Sequence, residues 1–288
     1  MEESLSFWGA LQAFQFMRHA FLAGLVVGAV CSLLSVYVVL KRLAFIGQGI
    51  SHSAFGGVAL ALLLFEESTT AGLKINLVTL AFCLMVALLI GWFSRRSKVS
   101  EDSAIGVFFA LSMAAGVIFV GLRERYTGEV FNYLFGNILG VSSTDVTTIS
   151  VLAVIVVIPI AVFYKELFFF CFDERLAGVS GIPVRFLHYL LLTLLALTIV
   201  ISMKVVGIIL VSAFLVIPGS AARLFTKRFS RMFLVSAAIG VGSSIAGLWL
   251  SYELGIPSGA TIVIVQFAVL IVAMVIKRSD KHTTIIVR

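Results

Sequence analysis

Residues Lys41–Leu60 read KRLAFIGQGISHSAFGGVAL, and the reading of that stretch decides the fold. Two cations close one apolar run and a second apolar run begins at once. The second run carries Gln48, Ser51, His52 and Ser53. Helical spacing sets Gln48 and His52 four residues apart on one face. Gly47, Gly49, Gly56 and Gly57 let a neighbouring backbone approach closely. Polar and ionisable side chains are costly inside a membrane, so such a face marks a packed interface or a pathway.

The rest of the chain agrees with a membrane setting. Of its 288 residues, 61% are hydrophobic and only 12% charged, with a mean hydropathy of +1.15, whereas a soluble domain is about 25% charged. The fold class that follows is all-α: a polytopic membrane helical bundle forming a single transmembrane domain over residues 1–288. The net charge of +7 does not point to nucleic acid, because the cations form no face and cluster between apolar runs. Cys31, Cys83 and Cys171 form no CxxC pair and read as small buried hydrophobes. Met1–Gly9 starts with two glutamates and lacks a basic n-region, so no cleavable signal is expected.

Nine spans are expected, each near the ~20 residues needed to cross ~30 Å of hydrocarbon. They fall at about Met17–Leu40, Gln48–Phe65, Leu73–Phe93, Ser103–Val120, Val146–Tyr164, Phe186–Met203, Val205–Ala222, Met232–Leu250 and Gly259–Ile276. The second span ends on Glu66 and Glu67, and Pro159 is expected to kink the fifth. Residues 1–16, with Trp8 among apolar residues, read as an interfacial lead-in or as a frayed helical start to the first span. Phe131–Asp145 is too short and polar to span alone and reads as a re-entrant or interfacial turn. Eight is the alternative count, and it turns on that stretch. With nine alternating spans, sixteen of the 21 Lys and Arg lie on one side and only Arg18, Lys74, Arg123, Arg125 and Lys204 on the other. The positive-inside rule then places the N-terminus outside and the C-terminus, with the tail 277–288, in the cytoplasm.

No G-x-x-x-x-G-K-[ST] loop, H-E-x-x-H or Ser/His/Asp set is present, so the chain reads as a non-enzyme without its own ATPase motif. His52 is the leading functional residue, as imidazole in a span facing a pathway or as a neutral hydrogen-bonding group between helices. Gln48 offers an uncharged oxygen on the same face, or an interhelical hydrogen bond. His19, His188 and His282 read as interfacial or solvated. Glu101 and Asp102 suit a helix start, and Lys204 reads as a snorkelling boundary lysine. Pro218 and Gly219 break the seventh span, as a gate or a static kink. Gly240, Gly242, Gly247, Ser243 and Ser244 make a small-residue face for packing within one chain or between two.

The segments, in order, resemble the membrane permeases of bacterial ABC importers for zinc, manganese or ferrous iron. KRLAFIGQGISHSAFGG is similar to the family's RRxAxxGDALSHAxxxG. EDSAIG (Glu101–Gly106), LFGNILGV (Leu134–Val141), FDERLAGVSGIPV (Phe172–Val184), VGIILVSAFLVIPGSAA (Val206–Ala222) and IPSGATIV (Ile256–Val263) match further family motifs. The resemblance implies a homodimer surrounded by membrane lipid, two cytoplasmic ATP-binding cassette subunits, and an extracytoplasmic metal-binding protein. It implies no permanently bound cofactor, only a transported divalent metal. Residues 172–185 become the cytoplasmic coupling segment, in which Asp173, Glu174, Arg175, Leu176, Gly178, Gly181 and Pro183 contact the ATPase. His52, Gln48 and Ser51 become the metal pathway. One departure stands out: the family's Asp is Gln48 here, and no carboxylate lies deep in any expected span. Cargo in the form of a chelated metal, or a secondary transporter or channel, are the alternatives.

Overall fold

A computed structural model describes residues 6–65, 71–96, 100–123 and 129–286. The helices, in order, are α1 (Phe7–Ala13), α2 (Gln15–Lys41), α3 (Ala44–Leu64), α4 (Ala71–Arg96), α5 (Glu101–Gly121), α6 (Glu129–Phe135), α7 (Ser143–Val162), α8 (Tyr164–Phe172), α9 (Glu174–Val179), α10 (Val184–Met203), α11 (Ile208–Phe214), α12 (Ile217–Phe225), α13 (Phe229–Leu254) and α14 (Ser258–Ile286). Among the described residues, nine segments are long and apolar enough to cross a membrane: α2, α3, α4, α5, α7, α10, the α11–α12 pair, α13 and α14. The acidic pair Glu66 and Glu67, Lys98, Arg125 and Arg288 lie outside the described residues, as do residues 1–5 of the lead-in and the side chains of Lys281 and His282.

The helix ends follow local chemistry. Ser142 and Asp145 form a capping box at the start of α7. Asp173 caps α9 by accepting from the backbone of Arg175 and Leu176. At α5 the cap is Ser100, whose hydroxyl accepts from Ser103 N at 3.2 Å. Asp102 follows in the first turn, where a carboxylate complements the helix dipole. α2, α3 and α10 are the most buried spans, while α5, α7 and α14 turn most of their surface outward.

The small-residue face of α13 packs within the chain. Ser236 Oγ donates to Ser32 O of α2 at 2.7 Å, and a Cβ on Gly247 would lie 2.5 Å from Ile262 Cα of α14. Gly242 faces open space. Phe131–Asp145 does not span: α6 leads into a 3-10 turn at Ile138–Gly140, and Ile138 buries itself against Gly24 of α2. The expected kink at Pro159 takes the form of a stop, since α7 ends at Val162 and α8 starts at Tyr164 after a break at Phe163.

The seventh span is two helices, not one. α11 ends at Phe214, and Pro218 falls in the first turn of α12, where its missing N–H costs nothing. The expected start at Val205 moves to Ile208 because residues 204–206 form a turn ahead of Gly207. At the end where α2 and α4 finish, Tyr37, Tyr164, Phe168, Phe229 and Phe233 form a cluster with ring centroids 4.7–5.9 Å apart. Such contacts add about 0.5–1.5 kcal/mol per pair, and they brace α8 and the start of α13.

Candidate functional site

The polar face of α3 is positioned by its glycines. A Cβ on Gly49 would meet Ile105 Cγ2 of α5 at 2.6 Å, and one on Gly56 would meet Ser112 O at 2.7 Å. Removing those side chains lets α3 and α5 touch backbone to backbone, and it fixes which way the rest of α3 points. Gln48 is exposed and His52 is half-buried, its ring edge-on to Phe109 at 5.1 Å. Ser51 is fully buried and donates to Gln48 O at 2.9 Å. The structure therefore brings Gln48 and His52 to one open face and turns Ser51 towards the core. Among the described residues of the chain, no three His, Cys, Asp or Glu side chains converge as a metal site.

The second feature lies at the basic end, under α9. Gly181 adopts φ +79°, and Ile182 N returns to Ala177 O at 3.0 Å, which closes the helix. Pro183 then stands at the N-cap of α10. Ala177 is buried, but Leu176 and Val179 are 63% and 89% exposed, and Arg175, Gly178 and Gly181 are exposed as well. Glu174 turns inward. It accepts from Lys41 Nζ at 2.9 Å and from Arg95 at 2.7 Å. Lys41 also sits over the Phe170 ring at 3.6 Å. Burial alone would raise the Glu174 carboxyl; the bond to Lys41 and the charges of Lys41 and Arg95 outweigh it and hold the group below its ordinary value. These groups line a cavity of about 430 Å³ shared with His188. His188 is buried, not solvated, because α10 is a central span and His188, Tyr189 and Leu192 pack it against Gly91 of α4.

The break before α12 docks on α2. Gly219 N donates to Ser35 Oγ at 2.9 Å, and a Cβ on Gly219 would lie 2.5 Å from Ser35 O. Pro218 and Gly219 are thus both buried in a helix-to-helix joint.

The opposite end is closed by residues that sequence reasoning missed. Lys204 donates to Asp145 at 2.6 Å, so it is an ion-pair partner and not a snorkelling residue. Asn137 N donates to Lys204 O at 3.0 Å. Gly136 (φ +77°) and Gly207 (φ +93°) lie backbone against backbone. The signal for this joint was two glycines in separate motifs, which spacing alone cannot pair.

Among the described residues, nine spans, a polar face on α3 and a capped turn between α8 and α10 stand together. The model of the ABC 3 transport family matches residues 13–277. The chain belongs to that family. The ABC 3 match covers all nine spans found among the described residues. The chain is 36% identical over 261 residues to the manganese transport system membrane protein MntC of Halalkalibacterium halodurans, covering 90% of this chain and 86% of the relative. It is 32% identical over 272 residues to the manganese import system permease protein ScaB of Streptococcus gordonii, covering 94% and 95%. Among solved structures it is similar to PsaBC from Streptococcus pneumoniae in complex with Fab, with a TM-score of 0.83, 32% identity, and coverage of 93% of this chain and 94% of that one. This ABC 3 protein is therefore a multi-pass inner-membrane transport component.

Proposed function

We propose that this chain is the permease of an ATP-driven importer that moves a divalent transition metal, with manganese, ferrous iron and zinc as the candidate cargoes. The observation that carries the reading is the open face of α3, where Gln48 is exposed and His52 only half-buried inside an otherwise buried span. An ionisable side chain left uncovered at that depth belongs against a second copy or a water-filled path. In a homodimer arranged about that face, two imidazoles and two amides line the route. Imidazole suits zinc, iron and copper, and neutral donors bind weakly enough to release an ion. The two manganese-transporting relatives support the same cargo class.

The chain has no nucleotide-binding loop of the Walker type, so the energy comes from separate cytoplasmic ATP-binding cassette subunits. Leu176 and Val179 form the apolar knob that docks on them, with Arg175 beside it. The cation-rich end that carries α9 then faces the cytoplasm, and an extracytoplasmic binding protein delivers metal at the Lys204 end. Transport proceeds by alternating access. A second reading, a chelated metal as cargo, is favoured by Gln48 standing where the family's motif carries Asp.

The test is uptake into proteoliposomes holding the chain, its ATPase and its binding protein, with zinc, manganese and ferrous iron compared. His52→Ala lowers uptake by about tenfold or more, the scale on which loss of one metal-site contact acts. Uptake at the wild-type rate removes His52 from the path. Transport of a chelate with no response to any free metal selects the second reading.

A further inference from the structure

The segment that receives the ATPase is hardly seated on the bundle. Of the α9 residues only Ala177 is buried, and the cavity of about 430 Å³ opens between α9 and the ends of α2, α4 and α10. Across that gap runs one side chain. Glu174 Oε2 meets Lys41 and Glu174 Oε1 meets Arg95. Its two oxygens are thus divided between two helices, each of which leads directly to the polar face.

Lys41 is the last residue of α2. Arg42 follows in the left-handed region at φ 59°, and α3 begins at Ala44. A β-carbon at positive φ is strained, so this two-residue joint is held by its neighbours and passes displacement on to α3. Gln48 lies in the second turn beyond it. Arg95 stands in the last turn of α4, and α4 packs on α3 where a Cβ on Gly57 would lie 3.0 Å from Thr79 Cα. Both partners of Glu174 therefore flank the helix that bears His52.

We infer that Glu174 is a positioning residue for transport: a two-pronged strut that carries movement of α9 to α2 and α4, and through them to the Gln48–His52 face. This deepens the proposed function and rests on α9 being the ATPase contact. The physical setting suits a strut that breaks and remakes. Glu174 is 41% exposed and Arg95 30%, so water takes over part of the carboxylate's solvation when one prong lets go while the other holds. The cavity supplies the room. Lys41, resting on Phe170, keeps its head in place when the carboxylate leaves.

The experiment uses the full transporter in proteoliposomes and reads three quantities: co-purification of the ATPase, ATP hydrolysis, and metal moved per ATP. Glu174→Gln keeps the size of the side chain and removes the charge. The expected result is docking retained through Leu176 and Val179, with metal per ATP reduced by about tenfold, within the range of a coupling free energy. Glu174→Asp recovers part of the loss, as does the exchanged pair Glu174→Lys with Lys41→Glu. Metal per ATP within twofold of wild type in Glu174→Gln, by the same scale of coupling, overturns the inference. If that variant is not recovered from membranes, Lys41→Gln and Arg95→Gln are compared singly: a loss of metal per ATP in each supports the strut, and no loss in either overturns it. Leu176→Asp with Val179→Asp reports separately on docking. ATPase retained by that double variant overturns the docking reading and the strut with it, whereas docking lost there beside normal coupling in Glu174→Gln overturns the strut alone.

Discussion

Each end of the bundle is fastened by lysine and carboxylate, and the two fastenings differ in how far the carboxylate is shielded and in what surrounds it. At the Lys204 end, the pair is 2.6 Å long and its side chains are 19% and 16% exposed. Two glycine backbones cross beside it, and the neighbouring cavity is only about 10 Å³. At the Glu174 end, Lys41 is just as shielded at 15% exposed, but the carboxylate is shared between two cations, is 41% exposed, and borders about 430 Å³. The same chemistry makes a fixed joint where the surroundings are filled and a movable one where they are not. A shielded pair is hard to break because either partner left alone is a buried charge; a half-exposed pair is not, because water takes over.

The largest expected effect lies at the fixed joint. Gly207→Ala puts a Cβ at positive φ into the Gly136 backbone, and little folded protein should be recovered from membranes, with a thermal midpoint far below wild type in whatever remains. Near-normal yield and midpoint break the comparison. Next comes Asp145→Ala, which leaves Lys204 shielded and unpaired and costs about 3–5 kcal/mol, read as a fall in detergent thermal stability. At the other end Lys41→Gln removes the lysine instead and leaves the 41% exposed Glu174 paired with Arg95, so it should cost under about 1 kcal/mol. Equal losses from Asp145→Ala and Lys41→Gln erase the distinction between the two ends.

The smallest effect is a pH dependence confined to α9. The folded carboxyl of Glu174 is held below its ordinary value of 4.5. Its contribution is therefore fully present above that ordinary value and is lost as pH falls through the lowered folded one. Lys41, Arg95 and His188 line the same cavity; protonation of Glu174 removes the negative charge that Lys41 and Arg95 pair with, which releases the strut. Spin-label distances between Gly178 and Trp92 should broaden on acidification in wild type and be broad at all pH in Glu174→Gln. A distance unchanged by acid shows α9 to be seated by other contacts.

Much of the site was legible in the chain because its signals are local. The i, i+4 spacing of Gln48 and His52, the glycines of α3, the Asp173 cap and the Pro218 break all lie within a turn or two, and each appears where spacing placed it. The inward turn of Ser51 was not legible, since helical phase tells which residues share a face but not which face the bundle covers. Glu174 read as one more exposed residue of the coupling segment, and Lys204 as a boundary lysine. Their partners lie 133 and 59 residues away, and no periodicity links such positions.

The sequence by itself determined the spans found among the described residues, the polar face of α3 and the capped turn, because hydrophobic length, helical spacing and capping act along the chain. Tertiary structure alone decided that the small-residue stripe of α13 packs on α2 and α14, that Ser35 receives the broken α12, and that one end is filled while the other is hollow. Those outcomes depend on which surfaces meet after the helices have formed, and close packing is a property of the assembled bundle rather than of any one segment.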